Sequence, residues 1–268
     1  MITIVVDAMG GDFYPDPNIE GSVLAVKEFP IKVILVGDEN LINEKLSYFS
    51  YPKDKISTLH ASEVVEMAES PSKAFRKKKL SSINVGLEYV KNNINCGFIS
   101  AGNTGAVLTA STFILGRIKG IERPALSSII PSDTKHFLLL DIGSNVDCKP
   151  IHLLQFAVMG QCFAEKLLQI ESPKIGLLNI GEEKDKGNQL TTQTYTLLEE
   201  SNLNFIGNIE AKELTQGHAD VVVCDGFIGN NLLKFGESFY KTFKTFFKKE
   251  AKTNFKSFLG LWLLKPSL

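Results

Sequence analysis

Again and again along this chain a short, uncharged, β-branched run stops at a loop of glycine, aspartate and asparagine, and a stretch of helical periodicity follows. That cadence leaves few folds open. Apolar runs of four to six residues without alternation are strands buried on both faces, and strands separated by helices pair in parallel. Strands are expected at 2–6, 31–36, 56–60, 97–100, near 126–130 and 137–141, and at 174–179, 204–206 and 220–224. Helices are expected near 15–28, at 39–48, near 71–78 and 81–92, at 104–116, 150–169 and 188–200, with a final helical region after the last strand. The fold class is α/β, a largely parallel sheet with helices on both faces. The sequence predicts one compact domain over 1–231 and a basic amphipathic helical segment over 232–268, because no repeat or Pro/Gly-rich linker divides the chain.

In open α/β sheets ligands bind beyond the carboxyl ends of the strands, where the polar loops fall. The most pointed of them lies in Gly97-Phe-Ile-Ser-Ala-Gly-Asn-Thr-Gly-Ala106, which opens a segment free of charged side chains up to Gly116. Gly102 and Gly105 let backbone approach a ligand, Asn103 and Thr104 offer side-chain hydrogen bonds, and the free N–H groups of the new helix favour an anion. A glycine turn at a strand-to-helix junction also arises for purely steric reasons. What argues for a ligand is repetition: Asp7-Ala-Met-Gly-Gly-Asp12, Asp141-Ile-Gly-Ser-Asn-Val-Asp147, Asn179-Ile-Gly-Glu-Glu183 and Asp225-Gly-Phe-Ile-Gly-Asn-Asn231. One shared cleft holding phosphate or a similar oxyanion is expected. The loop Gly181-Glu-Glu-Lys-Asp-Lys-Gly-Asn188 sets Lys184, Lys186 and Asn188 at its mouth, Asp225 is placed to orient a lysine, and Asn230 to donate to an oxyanion.

No stretch approaches the ~20 apolar residues of a bilayer span, and the chain opens on the strand Ile2-Thr-Ile-Val-Val6 without a basic leader, so a cytosolic protein is expected. Cys96, Cys148, Cys162 and Cys224 form no C-x-x-C pair; three lie in or beside apolar runs and read as reduced core thiols, while Cys148 faces the candidate site beside Asp147 and Lys149. His60, His136, His152 and His218 have no metal-ligand spacing, and neither metal nor cofactor is assigned. The net charge of −1 is uneven: residues 232–268 hold eight Lys against Glu237 and Glu250, a local +6 that leaves −7 on the rest. There Phe235, Phe239, Phe243 and Phe246/Phe247 recur at helical spacing with Lys241, Lys244, Lys248 and Lys252 on another face, and a second apolar run covers 255–264. Such a helix suits a membrane surface, a dimer mate or the protein's own core. A basic run, Arg76-Lys-Lys-Lys79, precedes the capping signature Ser81-Ser82 and reads as a solvated face or as a dock for an acidic carrier.

The motifs Val6-Asp-Ala-Met-Gly-Gly-Asp12, Ser100-Ala-Gly-Asn-Thr-Gly-Ala106, Arg123-Pro-Ala-Leu126, Leu140-Asp-Ile-Gly-Ser-Asn-Val-Asp-Cys-Lys-Pro150, Leu153-Leu-Gln-Phe-Ala-Val-Met-Gly160, the Leu177–Asn188 stretch ending in Lys186-Gly-Asn188, and Val221-Val-Val-Cys-Asp-Gly-Phe-Ile-Gly-Asn230 together resemble the phosphate acyltransferases of bacterial phospholipid synthesis (PlsX family). The resemblance runs the length of the chain. It implies a fold similar to phosphotransacetylases and isocitrate/isopropylmalate dehydrogenases, and transfer of a long-chain acyl group from acyl carrier protein to inorganic phosphate, giving acyl phosphate. It further implies a homodimer in the cytoplasm that associates peripherally with the inner face of the cell membrane through 232–268, and no nucleic-acid partner. Carried over by matched motif, Lys186 and Asn230 become the catalytic residues. Asp7, Gly10, Gly11, Asp12, Gly102, Asn103, Thr104, Gly105, Asp141, Asn145, Asn188 and Asp225 become substrate-binding residues. Members of that family continue beyond the point where this chain stops, at Leu268, which reads as truncation.

The chemistry agrees with the inventory: phosphate attacking a thioester needs no side-chain nucleophile, only groups that hold two anions in line. Two other readings stay open on sequence alone. One is a nucleotide-dependent oxidoreductase, suggested by Gly10-Gly11 after the first strand but lacking G-x-G-x-x-G; the other is a non-catalytic membrane-associated module built on the tail.

Overall fold

The apolar runs become strands and the periodic stretches helices, in the expected order. The computed structural model describes residues 1–251 together with 259, 260 and 263. The strands form two sheets where one was expected, and the chain divides into two compact units, Met1–Gly120 and Ile121–Leu268. The division falls in the connection after residue 115, where Gly116 and Gly120 both take the positive φ (83° and 91°) that glycine alone adopts freely. Two glycines are too sparse to stand out as a linker in composition, and strand pairing is a long-range property that local periodicity does not carry.

In the first unit β1 (Ile2–Asp7), β2 (Ile31–Gly37), β3 (Ile56–His60) and β4 (Cys96–Ile99) form an all-parallel sheet in the order β3-β2-β1-β4. Helices α1 (Asp16–Glu28) and α2 (Glu39–Leu46) bury Ile19, Val23, Val26 and Ile42 against Val33 and Leu35. On the opposite face Val5, Ile34 and Val36 meet Val85 of α4 (Ser82–Asn92). Helix α3 (Pro71–Lys77) and α5 (Thr104–Ile114) then pack with α4 through Ala74, Ile83, Leu87, Ala106 and Ala110. Both faces of the central strands β1 and β2 are therefore covered, which is why these two read as unbroken apolar runs, whereas the edge strands β3 and β4 are only partly buried.

The second unit holds β5 (Ser127–Pro131), β6 (His136–Leu140), β7 (Ile175–Asn179), β8 (Phe205–Glu210) and β9 (Val221–Val223) in the order β5-β6-β9-β7-β8, with β5 antiparallel and the rest parallel. Leu138 and Leu140 point with Val221 and Val223 to α6 (Pro150–Leu167) and α7 (Gln189–Glu199), where Leu153, Phe156 and Leu198 close the core. Phe137, Leu139 and Val222 point the other way, to Leu214 of a 3-10 turn (Ala211–Gln216) and to Leu232 of α8 (Gly226–Ala251). Strand β8 runs to Glu210, four residues beyond the expected 204–206.

Helix α8 starts five residues before the expected Asn231, so Gly226-Phe-Ile-Gly-Asn230 is its first turn and not a loop. Glycine's poor helix propensity hid this. The reason for glycine is close approach: a methyl group at Gly229 would lie 1.9 Å from the Asp141 carbonyl oxygen. Along α8 the rings of Phe235, Phe239 and Phe243 follow one another at 6.2 and 6.1 Å, and all three are exposed. Most of the 255–264 run, together with Lys252, Lys256 and Lys265, lies outside the described residues.

Candidate active site

In the first unit the adjacent strands β1 and β4 bring two of the expected loops together. Asp7, fully buried at the end of β1, accepts a 2.6 Å hydrogen bond from the Ser100 hydroxyl at Oδ2 and one of 3.1 Å from the Met9 N–H at Oδ1. The Gly102 N–H donates to Ser100 Oγ at 3.0 Å. A Cβ at Gly10 would stand 2.7 Å from Asp7 Oδ2 and 2.8 Å from Gly102 N, so the 7–12 and 100–105 loops touch backbone to backbone and only glycine fits between them. Burial pushes the Asp7 carboxyl upward from its ordinary value, against the opposing pull of the Ser100 and Ser82 hydroxyls and the Met9 N–H. Asn18 Nδ2 donates to the carbonyls of Ala8 (3.1 Å) and Gly10 (2.8 Å) and fixes the first loop from below.

Asn103 has a different part from the one expected. Its Oδ1 caps α5 by accepting from the Ala106 N–H (3.0 Å), and its Nδ2 donates to the carbonyls of Met67 and Glu69, both at 2.9 Å. The side chain is fully engaged in building the turn. Gly105 also serves packing, since a Cβ there would meet Pro71 Cγ at 2.6 Å. Thr104 and Asp12 are exposed, and Gly11 sits at φ 100°.

In the second unit three loops leave the carboxyl ends of the neighbouring parallel strands β6, β9 and β7. Asp141, wholly buried, is the hub of the first: Oδ1 accepts from the N–H groups of Leu126 (3.2 Å), Gly143 (3.1 Å) and Ser144 (3.0 Å). Oδ2 accepts from Ser144 Oγ (2.6 Å), Asn145 N (2.7 Å) and Asn145 Nδ2 (2.8 Å). Asn145 also donates to the Pro124 carbonyl (2.7 Å), and its own carbonyl receives the Gly226 N–H (2.7 Å). Asp225 Oδ1 accepts from the Ile228 N–H at 2.9 Å and so caps α8; among the described residues it holds no lysine, contrary to expectation. Asn188 caps α7, taking the Thr191 N–H at 3.0 Å while Thr191 Oγ1 takes the Asn188 N–H at 3.0 Å. Asp141 and Asn145 thus spend their side chains on the loop, whereas Asn188 Nδ2 and Asp225 Oδ2 make no hydrogen bond among the described residues.

The side chains of the two expected catalytic residues are open. The Asn230 amide lies against Gly143, where a Cβ would come within 3.3 Å of Asn230 Cβ, and it makes no hydrogen bond among the described residues. Lys186 is exposed with no ion-pair partner among the described residues, whereas Lys184 of the same loop pairs with Glu199. The next residue, Gly187, holds φ 97°, and its backbone lies so close to Thr191 Oγ1 and Asn179 Oδ1 that no side chain fits there. The Asn179 amide donates to the Lys186 carbonyl at 3.0 Å, locking the backbone that carries the ammonium.

The cysteines differ from expectation. Cys162 is exposed and Cys96 and Cys148 half-buried, so Cys224 alone is a core thiol. Burial first, then the nearby Asp225 and Asp141 carboxylates, push the Cys148 thiol up to about 11, which makes it a poor nucleophile at neutral pH. The second unit also carries an apolar recess of about 360 Å³ lined by Ile130, Phe137, Leu139, Leu214, Leu232 and Phe235. Sequence reasoning passed over Ser100, Asn18 and Ser144, although serine and asparagine beside strand-end glycines are the usual partners of loop backbone.

Comparison with known proteins gives the family. Proteins named phosphate acyltransferase from Clostridium perfringens and Clostridium tetani are each 46% identical, over 267 and 265 residues, covering 99% and 98% of this chain and 79% of theirs. Among solved structures, a phosphotransacetylase from Streptococcus pyogenes shares the fold with a TM-score of 0.66 at 16% identity, over 90% of this chain and 82% of that one. A family model described as "Fatty acid synthesis protein" (FA_synthesis) matches residues 2–268, and the chain belongs to that family together with the phosphate acyltransferases it resembles.

Proposed function

We propose that this enzyme transfers a long-chain acyl group from the thioester of an acyl carrier protein to inorganic phosphate, yielding acyl phosphate for phospholipid synthesis. The observation that carries this reading is Lys186, an exposed ammonium on a locked backbone in a loop whose other lysine is neutralised. A phosphate oxygen attacks the thioester carbonyl, the carbonyl oxygen becomes an oxyanion, and the C–S bond breaks to release a thiolate that takes up a proton. Lys186 offsets the anionic charge of phosphate and Asn230 donates to the oxyanion, each worth on the order of 10²–10³ in rate for a well-placed donor. The Gly102–Gly105 turn, its free N–H groups at the start of α5, supplies anion binding in the first unit, with Asp7, Gly10, Gly11, Asp12 and Thr104 shaping or bordering it. Asn103, Asp141, Asn145, Asn188 and Asp225 act by positioning. The high-lying Cys148 thiol argues against a covalent acyl-cysteine route. The apolar recess of the second unit suits an alkyl chain.

The exposed phenylalanines of α8, flanked by lysines, support peripheral contact with an anionic membrane face and equally a homodimer contact. Among the described residues no helix is long and apolar enough to cross a membrane. Trapping the product with hydroxylamine as an acyl hydroxamate tests the reaction. Hydroxylamine also cleaves thioesters directly, so the signal is the hydroxamate formed above a phosphate-free blank; it should fall in Lys186→Ala and Asn230→Ala at unchanged thermal stability, and wild-type rates in both variants remove these residues from the mechanism.

A further inference from the structure

The basic run that closes α3 has no part in the reaction above. Residues 71–80 hold Lys73, Arg76, Lys77, Lys78 and Lys79 and no carboxylate. The fold sorts them. Lys78 turns inward, donating to the Val64 carbonyl at 2.6 Å and pairing with Glu69 at 2.7 Å, whereas Lys73, Arg76, Lys77 and Lys79 are exposed. Lys79 Nζ stands 4.3 Å over the Phe75 ring, and Phe75 stacks at 5.2 Å on Phe113 of α5, itself 70% exposed. The surface is four cations around an aromatic pair, with the exposed Glu66 five residues before α3 in the chain.

A solvated face explains the lysines but not the exposed ring among them. The patch is also bolted to the candidate anion turn. Pro71, the first residue of α3, packs on Gly105, and Asn103 holds the carbonyls of Met67 and Glu69 that lead into α3. Phe113 lies nine residues along α5 from Thr104, so the patch is about 10–14 Å from the turn at 1.5 Å per residue.

Resting on the acyl-transfer reading, we propose that the α3 face with Phe75 and Phe113 docks the acidic carrier protein that brings the thioester. A flexible arm tethered there needs to span only the length of α5 to reach the anion turn. Two rings give too little apolar surface for a lipid interface, which α8 serves far better, while clustered cations over aromatics fit an acidic protein helix.

The test uses the full chain carrying Lys73→Ala, Arg76→Ala and Lys77→Ala, three side chains exposed in the structure. KM is measured with acyl-carrier protein and with acyl-pantetheine, phosphate being present in both. Removing three rim cations should raise KM for the carrier about tenfold and abolish its dependence on NaCl, with acyl-pantetheine turnover within about twofold of wild type. An unchanged carrier KM, or equal weakening of both donors, overturns the proposal. Fluorescence anisotropy of labelled holo-carrier, and sedimentation with vesicles of equimolar phosphatidylglycerol and phosphatidylcholine, read docking without catalysis. Carrier binding should be lost and vesicle binding kept; the reverse overturns the assignment. If wild type makes acyl phosphate from neither donor, the reaction reading fails while the anisotropy result still decides the dock.

Discussion

Gly229→Ala is the substitution whose outcome the structure determines most sharply. In an exposed helix the change favours stability by about 1 kcal/mol. Here the new methyl would sit 1.9 Å from the Asp141 carbonyl oxygen and 2.9 Å from its carbon, both backbone atoms. Reaching even 3.0 Å, below which real Cβ atoms are essentially not found, requires a shift of about 1 Å. The Asp141 loop cannot supply it, because its carboxylate is held by six hydrogen bonds from Leu126, Gly143, Ser144 and Asn145. The first turn of α8 must move instead, carrying Asn230 off Gly143. Overpacking of this kind costs about 1–3 kcal/mol, more than the propensity gain, and a misplacement of about 1 Å costs about 100-fold in turnover. Gly21→Ala is the control: exposed in the middle of α1, with nothing within 4 Å of its Cβ, it should stabilise slightly and leave turnover alone. Hydroxamate kinetics and thermal melts of both variants give the answer. A Gly229→Ala protein within twofold of wild-type turnover at unchanged melting temperature refutes the close-approach argument.

Three more predictions follow from the same geometry. Lys186→Ala should lower turnover by about 100-fold at unchanged melting temperature, whereas Lys184→Ala, which loses a surface pair with Glu199 and a contact over the Tyr195 ring, should stay within about threefold by the same assay. Asp141→Ala strands several buried donors and should lower unfolding free energy by about 3 kcal/mol or more, read from urea denaturation followed by circular dichroism. Burial raises Asp7, so the folded state holds its proton where the unfolded state has released it; the stability this group contributes is present below the ordinary value of 3.8 and is lost as pH rises through the raised folded value. Urea midpoints of wild type should therefore fall relative to Asp7→Asn as pH climbs from 3.5 toward 7, and a constant difference across that range contradicts the account.

How far the sequence reached depends on which interactions are local. The strands of both units were legible because a parallel strand buried on two faces is written as an unbroken apolar run, as in Ile31–Gly37 and Ile175–Asn179. The partition into two sheets was not, since nothing in Leu138 or Val5 says which strand lies beside it. The loops were found, but their amides were read as ligand contacts when Asn103 and Asn188 cap helices and Asn145 closes the Asp141 loop. Capping was readable in principle, because both Asn103 and Asn188 stand one residue before a helical stretch. The start of α8 was hidden because Gly226 and Gly229 oppose a helix locally and are required only by the Asn145 and Asp141 backbones lying against them. What sequence could not rank was which lysine of 184 and 186 stays free; that depends on Glu199 a helix away.

In the reaction proposed above phosphate attacks the thioester directly, with no acylated protein between. Quenched-flow measurement of carrier thiol release, with enzyme and acyl-carrier protein in comparable amounts and with or without phosphate, addresses it most directly. The account predicts steady release with phosphate, none without it, and an unmodified protein mass at every time point. A stoichiometric burst of thiol in the absence of phosphate, with the protein gaining one acyl group, would contradict it.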